Sequence, residues 1–368
     1  MEYKDFVDEV KEKIKDFLPE EFADATVEIN QMVKNNDCVM DGLSIKTEDS
    51  PIYPTVYLNP YFEQIQQGIE TDLYDVLSQI ADACQTRDID HDMDLSKITD
   101  YDSIKDKIVC KLINGETNEK FLQAKPYTQI EDLAAVYQIL LNKSAEGTAS
   151  VTITDSLMGT YGVTAEELHS QALENMEKQP YVFKGISQIV DEIMYGKTSS
   201  GQSMGRNEAG KTEPQMTEDI HDTIFVLTSD NMLNGAAEIL NDNTRQEIAE
   251  KIGDFYVLPS CIHETIIIPT DAGMGLDELE HMVQEVNYTQ VAPDERLSDH
   301  VYEYDAKEHE LFRSDKAGER AKQKEGREEK GHERISVKDK LAEKKKEAIE
   351  KNGEKGHQKA EKKKETSL

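Results

Sequence analysis

The sequence predicts an α+β protein. It is read as two mixed units, each a small antiparallel or mixed sheet flanked by helices, followed by a charged C-terminal tail. Three observations lead there. Short β-prone runs and amphipathic helical stripes follow one another along the chain. At 368 residues the chain exceeds one ordinary core. Charge is partitioned: residues 313–368 carry a net +6 and residues 1–312 a net −39, together the chain's −33.

The elements follow in order. Phe6, Val7, Val10, Ile14, Phe17 and Leu18 recur at spacings of three and four and predict a helix over 3–18, stopped by Pro19. Val27 and Ile29 alternate with polar residues, Asn35-Asn36-Asp37 reads as a turn, and Tyr53-Pro54-Thr55-Val56-Tyr57-Leu58 is β-prone. Helices are expected at about 60–84 and 101–122, separated by the acidic loop 88–94. These close a first unit, 1–122. A second unit, 123–305, opens with a helix over 129–141, because Ile130, Leu133, Ala134, Tyr137, Leu140 and Leu141 share a helical face and Thr128 with Glu131 has the capping-box spacing. Val136 and Ile139 fall off that stripe. A strand at 150–154 follows, then a helix opened by the capping box Thr164-Ala165-Glu166-Glu167. Residues 196–218 are polar and aperiodic and read as a flexible loop within this unit. Beyond it come a strand at 223–227, a helix at 232–240, a helix opened by Thr244 and Glu247 with Gly253 at its C-cap, strands at 255–258 and 265–268, and a helix from Leu276 to Val286. From 306 the Lys/Glu-rich tail reads as largely disordered or helical, with a thin apolar stripe over 335–351.

Composition excludes some classes. No apolar run approaches 18 residues, so no membrane span is expected. The acidic start Met1-Glu2-Tyr3-Lys4-Asp5 lacks the apolar core of a secretory signal, which predicts a cytoplasmic protein. A −39 body has no basic face for phosphates, so general nucleic-acid binding is not expected of it. Cys38, Cys84, Cys110 and Cys261 show no C-x-x-C spacing and read as reduced, partly buried thiols.

Several motifs bear on chemistry. Gly205-Arg206-Asn207-Glu208-Ala209-Gly210-Lys211-Thr212 matches the phosphate-loop pattern letter for letter. A working loop is delivered by a buried strand and opens a helix whose N–H groups face the phosphates. Here polar residues precede it and Glu213-Pro214 follows, so Gly205, Gly210, Lys211 and Thr212 are read as a coincidence and no cofactor is expected. Asp90, Asp92 and Asp94 suggest a calcium loop, but the glycine and glutamate positions fall on Leu95 and Tyr101, or on Met93 and Thr99 in the frame starting at Asp88. Ser260, His263 and Glu264 lie between two expected strands, and with Asp299 and His300 they are the candidate residues of a hydrolase or metal-assisted site. That chemistry requires the groups to converge, whereas neighbours on a strand point to opposite faces. No helical histidine spacing supports a metal site.

A set of segments occurs in a distinctive order. It comprises Val109-Cys110-Lys111-Leu112-Ile113-Asn114, Gly162-Val163-Thr164-Ala165-Glu166-Glu167-Leu168, Asn234-Gly235-Ala236-Ala237, Leu258-Pro259-Ser260-Cys261-Ile262-His263-Glu264, Thr289-Gln290-Val291-Ala292-Pro293 and Leu297-Ser298-Asp299-His300-Val301-Tyr302. Together they resemble the bacterial family called domain of unknown function 5688, over about residues 2–305. The second half is similar, more faintly, to domain of unknown function 1444. The resemblance implies a bacterial cytosolic protein and brings no activity or catalytic residue. The leading functional expectation is a non-enzymatic accessory or adaptor protein whose unknown protein partner engages tail 313–368. The alternatives are the hydrolase or metal-assisted enzyme and an acidic mimic of nucleic acid.

Overall fold

A computed structural model of the chain describes residues 1–47, 55–69, 72–85, 95–143, 148–195, 215–216 and 222–322. The chain divides into a body, residues 1–312, and a C-terminal unit, residues 313–368. The body is α+β, as predicted.

Its N-terminal part packs helices on a three-stranded sheet. Helix α1 (Tyr3–Lys13) carries Phe6 and Val10 on its buried face and ends in a tighter 3₁₀ turn over Ile14–Phe17, just before Pro19. Strands β1 (Thr26–Val33) and β2 (Val39–Lys46) pair antiparallel around the Asn35–Asp37 turn, and β3 (Thr55–Tyr57) pairs with β2. The helix expected over 60–84 is two helices, α2 (Asn59–Gln66) and α3 (Leu73–Gln85). Val76, Leu77, Ile80 and Cys84 of α3 join Phe6, Val10, Leu43 and Phe62 in one core.

The rest of the body holds two further sheets around a shared core. Helix α4 (Tyr101–Ile104) is one turn, and β4 (Ile108–Asn114) occupies the middle of the expected 101–122 helix. The expected 129–141 helix is also β: strand β5 (Tyr127–Ile130) turns through Glu131 and Asp132 into β6 (Leu133–Lys143). The two-residue loop places Glu131 at φ +55°, a hairpin geometry that no helix passes through. Thr128, expected as a helix cap, instead pairs its hydroxyl with Tyr137 at 2.5 Å. The apolar stripe misleads because β6 is covered on both faces. Leu133, Ala135, Tyr137 and Ile139 enter the large core, while Ala134 and Val136 pack with Ile113 and Leu122. A run apolar on every side satisfies both periods. Strand β7 (Thr148–Thr152) also pairs with β6. The boundary expected at 122/123 falls between strands of this single sheet, since β4 pairs with β6.

Helix α5 (Asp155–Tyr161) is capped by Thr154 and α6 (Ala165–Met176) by the expected Thr164–Glu167 box. Strand β8 (Tyr181–Gly185) leads into α7 (Ile186–Tyr195) and pairs in parallel with the short β9 (Gln215–Met216). Strand β10 (Phe225–Ser229) is followed by a 3₁₀ helix over Gly235–Leu240, not the α-helix expected from 232. Helix α8 (Asp242–Ile252) starts before the expected Thr244 box because the Asn241 carboxamide accepts from the amides of Asn243 and Thr244; Gly253 ends it at φ +75°. Strands β11 (Phe255–Leu258) and β12 (Glu264–Pro269), helix α9 (Leu276–Thr289), and strands β13 (Tyr302–Asp305) and β14 (Glu310–Arg313) complete the fold. The seven-stranded sheet runs β14-β13-β11-β12-β10-β8-β9. Residues 306–312, expected to open the tail, are therefore part of the body. Asp305 accepts from the amides of Lys307 and Glu308 to turn the chain, and Phe312 is buried. Side chains from the four-stranded and seven-stranded sheets meet α6 and α8 in one core, while Leu279 and Val283 of α9 cover Leu258, Ile268 and Val301.

Among the described residues no helix is long and apolar enough to cross a membrane. In the C-terminal unit, Arg313 grips Asp315 through two hydrogen bonds of 3.0 and 2.6 Å. The stripe at 335–351 lies outside the described residues, as do residues 86–94 and the loop residues 196–214 and 217–218.

Candidate functional site

The polar residues singled out in the sequence lie where three connections meet: the loop after β10 (229–235), the turn between β11 and β12 (259–263), and the segment after α9 (291–300). Backbone pairing holds two of them together. The amide of Ile262 donates to Glu295 O at 2.9 Å, that of Leu297 to Ser260 O at 3.0 Å, and that of Ser298 to Pro259 O at 2.8 Å. The segments 259–264 and 297–300 thus lie side by side.

Their side chains do not share one set of partners. His263 Nδ1 accepts the amide of Asn234 at 3.2 Å, and Nε2 lies 3.3 Å from Glu295 Oε1. A backbone N–H can only donate, so this contact requires Nδ1 unprotonated and puts the proton of a neutral ring on Nε2, facing Glu295. Both ring nitrogens are engaged. Among the described residues no hydrogen bond joins His263 to Ser260, Glu264, Asp299 or His300. Glu264 starts β12 opposite Thr228, whose hydroxyl donates to His263 O at 2.7 Å. Asp299 accepts from Asn287 Nδ2 at 2.6 Å, and the amide of His300 donates to Ser298 Oγ at 3.1 Å.

Sequence reasoning missed the group that organises this region. Asp132, 3% exposed in the β5–β6 turn, accepts Ser298 Oγ at 2.6 Å and the hydroxyl of Tyr302. Asn287 adds a 2.9 Å bond to Ser298 O. A lone aspartate in an expected helix gives no signal of this, because its partners lie more than 160 residues away.

A second polar knot sits at the tip of the β1–β2 hairpin. Asn36 Nδ2 donates to Pro293 O at 2.7 Å and Arg296 O at 2.8 Å, and its Oδ1 accepts Thr117 Oγ1 at 2.7 Å and Asn118 Nδ2 at 3.0 Å. Asn35 Nδ2 donates to Asp294 O at 2.7 Å, and Asp37 accepts from the amides of Lys120 and Phe121. On the adjoining face of β4 sits Lys111, half-buried. Desolvation first, then the nearby Lys34, pushes its ammonium pKa down to about 8.

Cys84, Cys110 and Cys261 behave as buried apolar groups, while Cys38 is half-buried. Burial pushes the thiols of Cys84 and Cys110 up to about 12, with the charge of Glu238 adding to the effect at Cys110. Cys261 rises to about 11, from burial first and the charge of Glu264 second. All four cysteines are free thiols. Beside the loop after β10 opens a cleft of about 60 Å³ lined by Gln138, Leu140, Met176, Asn231, Leu233 and Glu238, among others. Among the described residues no group of three or more His, Cys, Asp or Glu is arranged to hold a metal ion. Gly205, Gly210, Lys211 and Thr212 lie outside the described residues.

A family model described as a family of unknown function, DUF5688, matches residues 3–306. The chain belongs to this family. The match spans the body from α1 to β13, so the DUF5688 region contains the Asn36 knot, the Asp132 network and the His263 turn alike. The fainter likeness to domain of unknown function 1444 is not shown. No curated protein and no solved structure matches the chain.

Proposed function

We propose that this DUF5688 chain is a bacterial, cytoplasmic accessory protein that works through protein–protein contacts and not through catalysis. The observation that carries the reading is the outer face of α7. Ile186, Val190, Ile193 and Met194 recur along it at helical spacing and are exposed, Ile193 at 77% and Met194 at 70%. A ridge of large apolar side chains is costly to leave in water and marks a contact surface. The helix carries no basic residue, its Asp191 is exposed while Glu192 is paired with Lys184 at 2.9 Å, and the surrounding body has a net charge of −39. The partner that fits is a protein presenting an apolar strip rimmed by Lys and Arg, drawn in by the long-range field. The engaged ring nitrogens of His263 support this reading over the hydrolase or metal-assisted one, because a general base needs a lone pair for its substrate. The net charge of the body by itself supports a nucleic-acid mimic no more than it supports solubility.

The test is affinity capture from host lysate with the full chain, with Ile193→Glu plus Val190→Glu, and with Tyr288→Glu as a control at an exposed site on α9. A partner retained by the wild type and the control and lost by the α7 double variant is the expected result. Capture indifferent to the α7 charges overturns the reading. A version lacking residues 313–368 measures what the tail contributes.

A further inference from the structure

Strand β1 (Thr26–Val33) is an outer edge of the three-stranded sheet, and it is open along its whole length. It pairs with β2 through eight unbroken residue pairs. The amide of Lys34 donates to Cys38 O at 2.8 Å, so the even-numbered residues of β1 bond to β2. Val27, Ile29, Gln31 and Val33 therefore turn their N–H and C=O groups outward, and no hydrogen bond with another described residue meets those groups. Proteins usually blunt such an edge with brevity, a lysine, a proline or a bulge. Among the described residues the other sheet ends follow that rule: β3, β5, β9 and β14 are two to four residues long, β7 meets β6 through an irregular register, and β4 carries Lys111. Strand β1 has no proline, lysine or bulge. Met32 and Val33 at its end are 42% and 40% exposed. Its single charge, Glu28, is answered by Lys46 at 2.5 Å, so the strip is neutral although the body around it carries −39.

We propose that β1 docks a second copy of this chain, the partner's own β1 laid antiparallel to it across a two-fold axis at Asn30. That register uses every outward group: Val27 faces the partner's Val33, and Ile29 faces the partner's Gln31. Carboxamide meets carboxamide where Asn30 faces its copy, the exposed Met32 and Val33 are covered, and no charged side chain stands opposite a like charge. The neutrality of the strip decides the occupant. Nothing in it selects a basic partner, and the run Val-x-Ile-x-Gln-x-Val over 27–33 meets its own reverse with the apolar ends matched. The two −39 bodies repel at a distance, so salt strengthens the pair.

The test is sedimentation equilibrium of the full chain over a range of concentration and salt, with hydrogen exchange read at the β1 amides. A dimer is expected, tighter in high salt than in low, with protection of the Ile29 and Gln31 amides rising with the dimer fraction. Gln31→Pro removes an N–H that β2 does not use, so it is expected to melt near the wild-type temperature and to weaken the dimer about tenfold or more. Asn30→Asp and Asn30→Lys, at an exposed position, each set like charges against one another at the axis. Each is expected to weaken the dimer about threefold, and their equimolar mixture to recover the wild-type affinity. This charge exchange decides the matter if the proline disturbs the sheet itself. A chain that stays monomeric up to about 0.5 mM overturns the pairing, as does a dimer indifferent to all three substitutions. A dimer lost in the α7 double variant and kept in the β1 variants places the contact on α7 and overturns it too. A monomer whose Ile29 and Gln31 amides are already protected has its edge covered by its own chain, which excludes a second copy.

Discussion

Replacing Asn36 tests whether the hairpin tip is the clasp that ties the N-terminal core to the rest of the body. Four side-chain hydrogen bonds leave Asn36, to Pro293 O, Arg296 O, Thr117 and Asn118. Each neutral bond contributes about 1 kcal/mol net, and water replaces part of that at a half-buried site, so losing all four costs about 2 kcal/mol. Asn36 also sits at φ +58°, where alanine adds about 1 kcal/mol of steric cost and glycine adds none. Asn36→Ala is therefore expected to lose about 3 kcal/mol and Asn36→Gly about 2. Urea unfolding of the full chain gives both numbers. Hydrogen exchange locates the loss: protection in α1, α3 and the β1–β2 hairpin is expected to fall about 100-fold, while β10 and β12 change less. A change below 0.5 kcal/mol in both variants, with exchange unaltered, refutes the clasp. An alanine variant no worse than glycine refutes the backbone part of the argument.

Three further outcomes follow from the geometry. A Cβ on Gly235 would stand 2.2 Å from the backbone nitrogen of Ser229 and 2.3 Å from Thr228 Oγ1, so Gly235→Ala is expected to cost about 3 kcal/mol by displacing the loop after β10 and the Thr228–His263 bond; a melting temperature within a degree of wild type refutes this. The Lys111 ammonium titrates near 8 in the fold and near about 10.4 when unfolded. The folded state therefore binds fewer protons between those values, and stability is expected to rise as pH climbs from 8 to about 10.4, with the full penalty present below 8. Lys111→Met is expected to flatten that rise and to add about 2 kcal/mol at pH 7, read from urea midpoints across pH. Iodoacetamide at pH 8 is expected to modify half-buried Cys38 first and to reach Cys84, Cys110 and Cys261 only on unfolding, as peptide mass mapping shows.

Local signals carried much of this structure. Helix α1 has a one-sided apolar stripe and a proline behind it, and α6 has its capping residues adjacent in sequence; such elements are written in neighbours a few residues apart. The alternating strand β1 and the short β-prone runs of β11 and β12 were legible for the same reason, as was the Asn35-Asn36-Asp37 turn, since asparagine and aspartate tolerate left-handed backbone. The ordered segments also sufficed to place the chain in its family.

Tertiary structure decided what local pattern left degenerate. Segment 133–141 is apolar on both faces except at Gln138, so helical and extended periods fit it equally, and the pairing of β6 with β4, β5 and β7 selects the strand. The same holds for Asp132, Glu238 and Lys111, which read as ordinary surface charges until distant elements close over them. Segments 259–264 and 297–300 do meet, but backbone pairing brings them together and sends His263 to Asn234 and Glu295, and Asp299 to Asn287. Sequence fixes which residues are polar, apolar or helix-capping within a few positions of one another. Burial, partner and protonation are set by residues from a dozen to more than 160 positions away, and only the folded chain brings those within reach.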